Sequence, residues 1–298
     1  MIISASRRTD IPAFYADWLF HRLEEGFCTV ANPFNPRQQR RVELSPDQVD
    51  CLVFWTRNAA PMLRRLEMLK DYDYYFQYTI TGYGSRLEPG VPHLQQVMET
   101  FGSLAELIGA PRMVWRYDPV IFSAEYDLGY HVQRFEHLAH GLQGKTQRFV
   151  FSFVDPYSKV AASLQQIGAY DPGTELMRKL AGEMKQITAA CGMELVTCAE
   201  ELELDDIGIA HGKCIDADLI NRVFGKTLKV PKAKGQRKTC GCVHSIDIGA
   251  YNTCPHGCVY CYANAGKMAV CRNHSRHDPS ASCLLQAHNP IEEALRSH

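Results

Sequence analysis

The segment Arg112-Met113-Val114-Trp115-Arg116-Tyr117 reads as a β-strand and is followed at once by the polar Asp118. Farther on, Val132, Phe135, Leu138, Ala139 and Leu142 recur at helical spacing. The same alternation extends in both directions. Candidate strands are Ile2–Ser6, Cys51–Trp55, Tyr74–Thr81, Arg148–Phe153 and Met193–Cys198. A second helical stripe is formed by Leu176, Met177, Leu180, Ala181, Met184 and Ile187. Six such units in succession predict an α/β fold, a TIM-like partial parallel (β/α) barrel. An open doubly wound sheet is the alternative. No Gly-x-Gly-x-x-Gly turn follows an early strand, however, so Rossmann-type dinucleotide binding has no support.

The strand ends are unusually polar. They carry Arg7, Arg8, Thr9 and Asp10; Thr56, Arg57 and Asn58; Thr79 and Thr81; Arg116 and Asp118; Asp155; and Glu200. In a parallel barrel these positions converge on the C-terminal face, where active sites sit. Any one of them is explained by the surface position of βα loops. Six strands ending this way point instead to a shared polar cavity. The catalytic candidates are Arg7, Arg8, Asp10, Asp118 and Glu200. Thr56, Thr81 and Arg116 are candidates for holding a cofactor, Arg116 because a guanidinium fork matches a carboxylate bidentately.

The chain has 298 residues, 46% hydrophobic and 22% charged, which excludes a disordered or collagen-like chain. Its 32 basic and 33 acidic residues nearly cancel, so no global field draws it to nucleic acid or an anionic membrane. No apolar run suggests a membrane span. Arg7-Arg8 lack the apolar stretch of an export signal, because Asp10, Pro12 and Asp17 interrupt the segment after them. A cytoplasmic location is expected, where clustered thiols serve as metal ligands or redox groups rather than disulfides.

Ten of the twelve cysteines fall in the last 108 residues. The decisive stretch is Thr253-Cys254-Pro255-His256-Gly257-Cys258-Val259-Tyr260-Cys261. Three thiolates on one short loop can hold three corners of a [4Fe-4S] cluster and leave the fourth iron open. Electron-transfer ferredoxins supply a fourth cysteine, and structural zinc wants four ligands in paired knuckles. The asymmetric loop therefore suits an open cluster.

This loop, with an aromatic at Tyr260, resembles that of the radical S-adenosylmethionine enzymes. The resemblance implies Cys254, Cys258 and Cys261 as cluster ligands, Tyr260 beside the cofactor, and S-adenosylmethionine chelated at the open iron. It also implies a cytosolic reductant such as flavodoxin or ferredoxin, and a 5′-deoxyadenosyl radical acting on a small-molecule or nucleic-acid-derived substrate. In that family the loop follows the first barrel strand; here it comes last. A circular permutation accounts for this if Val243–Tyr251 forms a strand docked beside strand 1 and Tyr262–Val270 begins a helix. The family's Gly-Gly-Glu-Pro-like motif would then fall at Ala5-Ser6-Arg7-Arg8, which lacks it, while Leu87-Glu88-Pro89-Gly90 is similar only superficially and lies in a loop. Arg116-Tyr117-Asp118-Pro119-Val120 is similar to a segment of spore photoproduct lyase relatives. The whole chain resembles the domain-of-unknown-function family DUF1848, through Ile2–Pro12, Phe54–Asn58, Trp115–Pro119 and the terminal cysteine loop.

Four more cysteines, Cys198, Cys214, Cys240 and Cys242, form a possible second metal site, either an auxiliary iron–sulfur cluster or zinc. Cys271, His274, His277 and Cys283 have ligand types suited to zinc but no knuckle glycines. Residues 226–238 hold six basic residues and no acidic one, as a solvated loop or a local anion patch. The expected organisation is a 1–212 repeat region and a 213–298 cysteine-rich segment packed into the same barrel. Two other functions fit the residues: a non-catalytic iron–sulfur electron-transfer protein, and a zinc-stabilised nucleic-acid-binding protein.

Overall fold

The computed structural model of the chain describes residues 1–155 and 158–286. Its strands are β1 Ile2–Ala5, β2 Phe27–Asn32, β3 Asn35–Glu43, β4 Cys51–Thr56, β5 Tyr74–Thr79, β6 Met113–Val120, β7 Arg148–Phe153, β8 Glu194–Cys198, β9 Ala210–Gly212 and β10 Ile246–Asp247. The α-helices are α1 Ile11–Phe14, α2 Ala16–Glu24, α3 Ala60–Leu63, α4 Leu94–Ile108, α5 Leu128–Leu142, α6 Ser158–Gln166, α7 Gly173–Ala190, α8 Ala217–Phe224 and α9 Lys267–Ser275.

Eight strands form one sheet in the order β10-β1-β4-β5-β6-β7-β8-β9, parallel throughout. From β1 to β9 each new sheet strand is added on the same side, without the reversal of order that marks a doubly wound sheet. Among the described residues β9 and β10 do not pair, so the sheet is not closed into a barrel. All six expected strands are present within a few residues. The β2–β3 hairpin was not foreseen. Its second strand, Asn-Pro-Arg-Gln-Gln-Arg-Arg-Val-Glu, lacks apolar alternation in sequence and pairs antiparallel with β2.

The pleat sorts side chains onto two faces. Ile3, Leu52, Phe54, Phe76, Trp115, Phe149 and Leu195 face the main core beneath α2, α4, α5 and α7. Ile2, Val53, Tyr75, Val114, Val150 and Val196 face the opposite way, against α8 and the 214–243 segment. Toward the strand ends this second face turns polar, with Ser4, Gln77 and Arg116 buried there.

The last strand pairs with the first. Ile3 stands opposite Ile246 and Ser4 opposite Asp247, so the expected docking of the late strand beside strand 1 is observed, though over two residues only. The helix after the loop begins at Lys267, later than expected, because Tyr262–Gly266 is occupied by turns tied to Asn252. The tail also grips the N-terminal helices: Trp18 Nε1 donates to the Ala281 carbonyl at 2.9 Å, and Arg22 Nη2 to that of Ser280 at 3.1 Å. Residues from 287 onward in the expected 213–298 segment lie outside the described residues. No described helix is long and apolar enough to cross a membrane.

Candidate active site

β10 is welded to β1 by Asp247, a residue that pattern reading missed. Its carboxylate accepts from Ser4 Oγ (3.0 Å), Ser6 Oγ (2.6 Å) and the backbone N–H groups of Arg7 (2.9 Å) and Gly249 (3.0 Å). The guanidiniums of Arg7 and Arg8 flank it, each with Nε at 3.9 Å. Both candidate arginines are thus turned to the β1–β10 joint. Gly249 is required there, since a Cβ would lie 2.1 Å from Ser6 Oγ.

Beyond this joint the chain enters the cysteine loop. Asn252 takes the left-handed conformation (φ 58°), its amide donates to the Ala263 carbonyl, and its side chain accepts from Ala265 N–H. Asn264 Nδ2 holds the Cys254 carbonyl at 2.9 Å. The three thiols are recessed yet partly open, and near enough for Cys258 and Cys261 to act on Cys254. Burial is the main reason all three thiols sit above their ordinary range, Cys258 at about 12. A bound cation would relieve that penalty, so the donor set fits a metal cluster that demands thiolates. As the side chains stand, no group of three or more His, Cys, Asp or Glu among the described residues has the geometry of ligands around one ion.

Asp10, a catalytic candidate from sequence, is a structural node. Its carboxylate accepts from Ala13 N–H (3.0 Å), Thr56 Oγ1 (2.7 Å), Arg57 N–H (2.8 Å) and His256 Nε2 (2.8 Å). It therefore caps α1 and ties the ends of β1 and β4 to the cysteine loop. His256 is buried with its other nitrogen 3.0 Å from the Gly90 carbonyl, so each ring nitrogen faces an oxygen. Thr56 is likewise spent on this node, accepting from Asn58 N–H as it donates to Asp10.

Leu87-Glu88-Pro89-Gly90, which the sequence places in an unremarkable loop, lies directly on the cysteine loop. Val259 N–H donates to the Leu87 carbonyl (2.9 Å) and Gly90 N–H to the His256 carbonyl (2.8 Å). A Cβ on Gly90 would meet the Pro255 and His256 carbonyl oxygens at 2.8 Å. Glu88 is buried, and its Oε1 accepts from Arg57 Nη1 (2.7 Å), Thr81 Oγ1 and Tyr260 OH. Arg57 Nη2 also reaches Tyr260 OH at 2.7 Å. Thr81 and Tyr260 are therefore brought together around a carboxylate 172 residues from Tyr260 in sequence. That separation is why no local spacing revealed it.

Arg116 lies elsewhere. Its Nη1 donates to Cys214 Sγ (2.9 Å) and Gln77 Oε1 (3.2 Å), its Nη2 to Asp118, and its guanidinium stands 5.1 Å from the Trp55 ring centre. It belongs to the second cysteine group. Asp118 also accepts from Ser152 Oγ; burial pushes its carboxyl up, but Arg116, the Ser152 hydroxyl and Arg57 together outweigh that and hold it below the ordinary range. Glu200 accepts Phe153 N–H at 2.7 Å, and burial, with Asp155, Asp118 and Cys198 adding, pushes its carboxyl up to about 8. Arg57 links the two groups of strand-end residues: its Nη2 also reaches the Asp118 carbonyl at 3.5 Å, and its charge helps to lower the Asp118 carboxyl.

Cys198 and Cys214 have their sulfurs 2.9 Å apart, and Cys242 bridges Cys214 and Cys240. Cys271, His274, His277 and Cys283 do not converge on one point: His274 Nδ1 meets Tyr15 OH (3.1 Å), and His277 Nδ1 meets the Leu284 carbonyl (2.9 Å). In the basic run, Lys226 pairs with Asp73 (2.7 Å) and Arg237 with Asp155, so part of its charge is internally matched.

These features define a parallel α/β protein with a three-cysteine loop delivered to the strand ends by its last strand. The chain belongs to the family described as domain of unknown function (DUF1848), whose profile matches residues 2–263, a span that includes both cysteine groups. No curated protein matches the chain.

Proposed function

We propose that the protein is a radical S-adenosylmethionine enzyme on a permuted, partial (β/α) barrel, with its cluster loop at the end of the chain. The observation that carries this reading is the parallel pairing of β10 with β1. It makes the strand leading into Cys254-x3-Cys258-x2-Cys261 the outermost strand of the sheet, next to the strand where a barrel of this kind would continue. The one-directional strand order supports a curved, barrel-like course.

Cys254, Cys258 and Cys261 would hold a [4Fe-4S] cluster and leave one iron open. When bound and reduced by a flavodoxin- or ferredoxin-class donor, the cluster supplies the electron that splits the sulfonium of S-adenosylmethionine into methionine and a 5′-deoxyadenosyl radical. The chain's own residues do the rest. The Asp10–His256 pair and the Gly90 contacts fix the loop against β1, β4 and the 87–90 turn. Glu88 takes the place of the absent Gly-Gly-Glu-Pro-like motif. Its three donors all reach Oε1, so Oε2 is the acceptor for the ammonium of the methionine moiety. Arg57 and Thr81 keep that carboxylate aimed, and Tyr260 closes the apolar side toward Tyr83, Leu87 and Ile121, excluding water.

Anaerobic reconstitution with iron and sulfide, followed by reduction with S-adenosylmethionine present, should release 5′-deoxyadenosine. A fully loaded protein that neither binds nor cleaves S-adenosylmethionine sinks the reading, and a reduced EPR spectrum unchanged by the cofactor would favour an electron-transfer role.

A further inference from the structure

We propose that Cys198, Cys214, Cys240 and Cys242 form a closed tetrathiolate site for one thiophilic divalent ion, zinc or iron(II), separate from the cysteine loop. The four come from three places in the chain: the end of β8, the turn after β9 and the 240–242 turn. The fold goes to some length to bring them together. Tyr75 OH and Gln77 Nε2 on β5 both donate to the Cys214 carbonyl, at 2.7 and 2.8 Å. Val243 N–H donates to the Ile215 carbonyl at 3.0 Å, and Thr239 Oγ1 to that of Ala199 at 3.0 Å, which folds the 240–242 turn onto the end of β8.

The surroundings favour charged sulfur. Arg116 Nη1 points at Cys214 Sγ from 2.9 Å, and Ile215 N–H at Cys242 Sγ from 3.4 Å. Donors on sulfur are the usual outer partners of metal-bound thiolates. Trp55 Nε1, on a ring beneath that guanidinium, is a further buried donor with no partner among the described residues. One guanidinium cannot offset several buried thiolates; a dication among them can.

The spacing selects a single ion. Sulfurs bound to one zinc at about 2.3 Å stand about 3.8 Å apart, so the Cys198–Cys214 contact of 2.9 Å must open by only about 0.9 Å. That contraction is consistent with the lack of ready-made ligand geometry among the described residues. A four-iron cluster would require the group to expand around several metals and sulfides, between the inner sheet face and the packed Ile215 and Val243.

The test begins with the full-length chain carrying Cys254→Ala, Cys258→Ala and Cys261→Ala, which removes the loop site whether or not that loop holds a cluster. This variant should retain about one zinc or iron per chain and no labile sulfide. Adding Cys214→Ala and Cys242→Ala should remove that metal. Because the fivefold variant could fail to fold, cobalt(II) is also titrated into the metal-stripped triple variant. Tetrahedral thiolate–cobalt bands should saturate at about one equivalent. A triple variant that purifies without metal and gives no cobalt bands overturns the proposal, as does one carrying iron with stoichiometric sulfide. Elemental analysis separates zinc from iron(II), and either one on these sulfurs upholds the site.

Discussion

The two cysteine groups of this one sheet are built on opposite plans. The loop group takes three thiols from eight consecutive residues at the sheet edge, partly open, with Glu88, Arg57 and Tyr260 as polar company. The inner group takes four thiols from three distant segments and seals them between β8, the 240–242 turn and Arg116. An odd, local set leaves a metal position free for a reactant, whereas an even, nonlocal set closes around its ion. Structural and catalytic zinc sites differ in the same way. On the proposed reading the loop carries the chemistry and the inner group the cohesion, a division that single substitutions can break.

The sharpest break is at the loop. Cys258→Ala should abolish 5′-deoxyadenosine formation while leaving the thermal midpoint near that of the unaltered chain, because the thiol is partly exposed and its removal leaves only a small gap. A Cys258→Ala protein that retains turnover would remove the loop from the chemistry. Cys214→Ala should do the reverse, lowering the midpoint clearly while a chain that still folds can load a cluster in the loop.

Next comes the node that joins loop to fold. Asp10→Ala removes the acceptor for four donors and leaves His256 Nε2 buried without that partner. The expected cost is about 3–5 kcal/mol, read as a drop in the urea midpoint. Loss of activity without loss of stability would return Asp10 to the catalytic role expected from sequence.

Gly90→Ala should cost less, about 1–3 kcal/mol, because its Cβ would press on the Pro255 and His256 carbonyl oxygens and neither backbone can yield without shifting the cysteine loop. Faster amide exchange confined to residues near 253–261 would confirm that the 87–90 turn braces the loop. Exchange unchanged there would detach the turn from the site.

How much of this could be read beforehand depended on distance along the chain. Strands such as Cys51–Thr56 and Arg148–Phe153 are dense in β-branched and aromatic residues, and the pleat leaves little choice about them. The cysteine loop was equally legible, because its three thiols are neighbours in sequence. Even the docking of β10 could be anticipated, since a strand leading into such a loop needs an edge to pair with. Asp247 and Glu88 could not. An acidic residue on a two-residue strand and another in a loop have no periodicity, and their partners Ser6 and Tyr260 lie far away in the chain. Arg116 illustrates the opposite case. Its residue type correctly indicated an anion to be gripped, but strand-end position alone could not say that sulfur and Asp118 would be waiting.

The smallest expected effect tests the boundary between the two groups. Glu200 is half-buried near Cys198 and Asp118, and its carboxyl is pushed up to about 8, first by burial and then by those neighbouring charges. Between the ordinary carboxyl range and about 8, the folded chain keeps a proton that the unfolded chain has released. Stability therefore falls as pH rises through that window and levels off above it. Glu200→Gln removes the titration while preserving the acceptor for Phe153 N–H. Thermal midpoints taken at about pH 5.5 and about pH 8 should lie closer together in the variant than in the unaltered chain. Equal spacing would mean that Glu200 is solvated and independent of the inner thiols. A smaller difference between the chains with and without Glu200→Gln, when both also carry Cys198→Ala, would tie the carboxyl to the inner group, because the sulfur is one of the charges that raises it. The comparison would then extend from the thiols to the acid beside them. A carboxyl that holds its proton near neutral pH belongs to the closed group, and the ionic network of Arg57 and Glu88 to the open one.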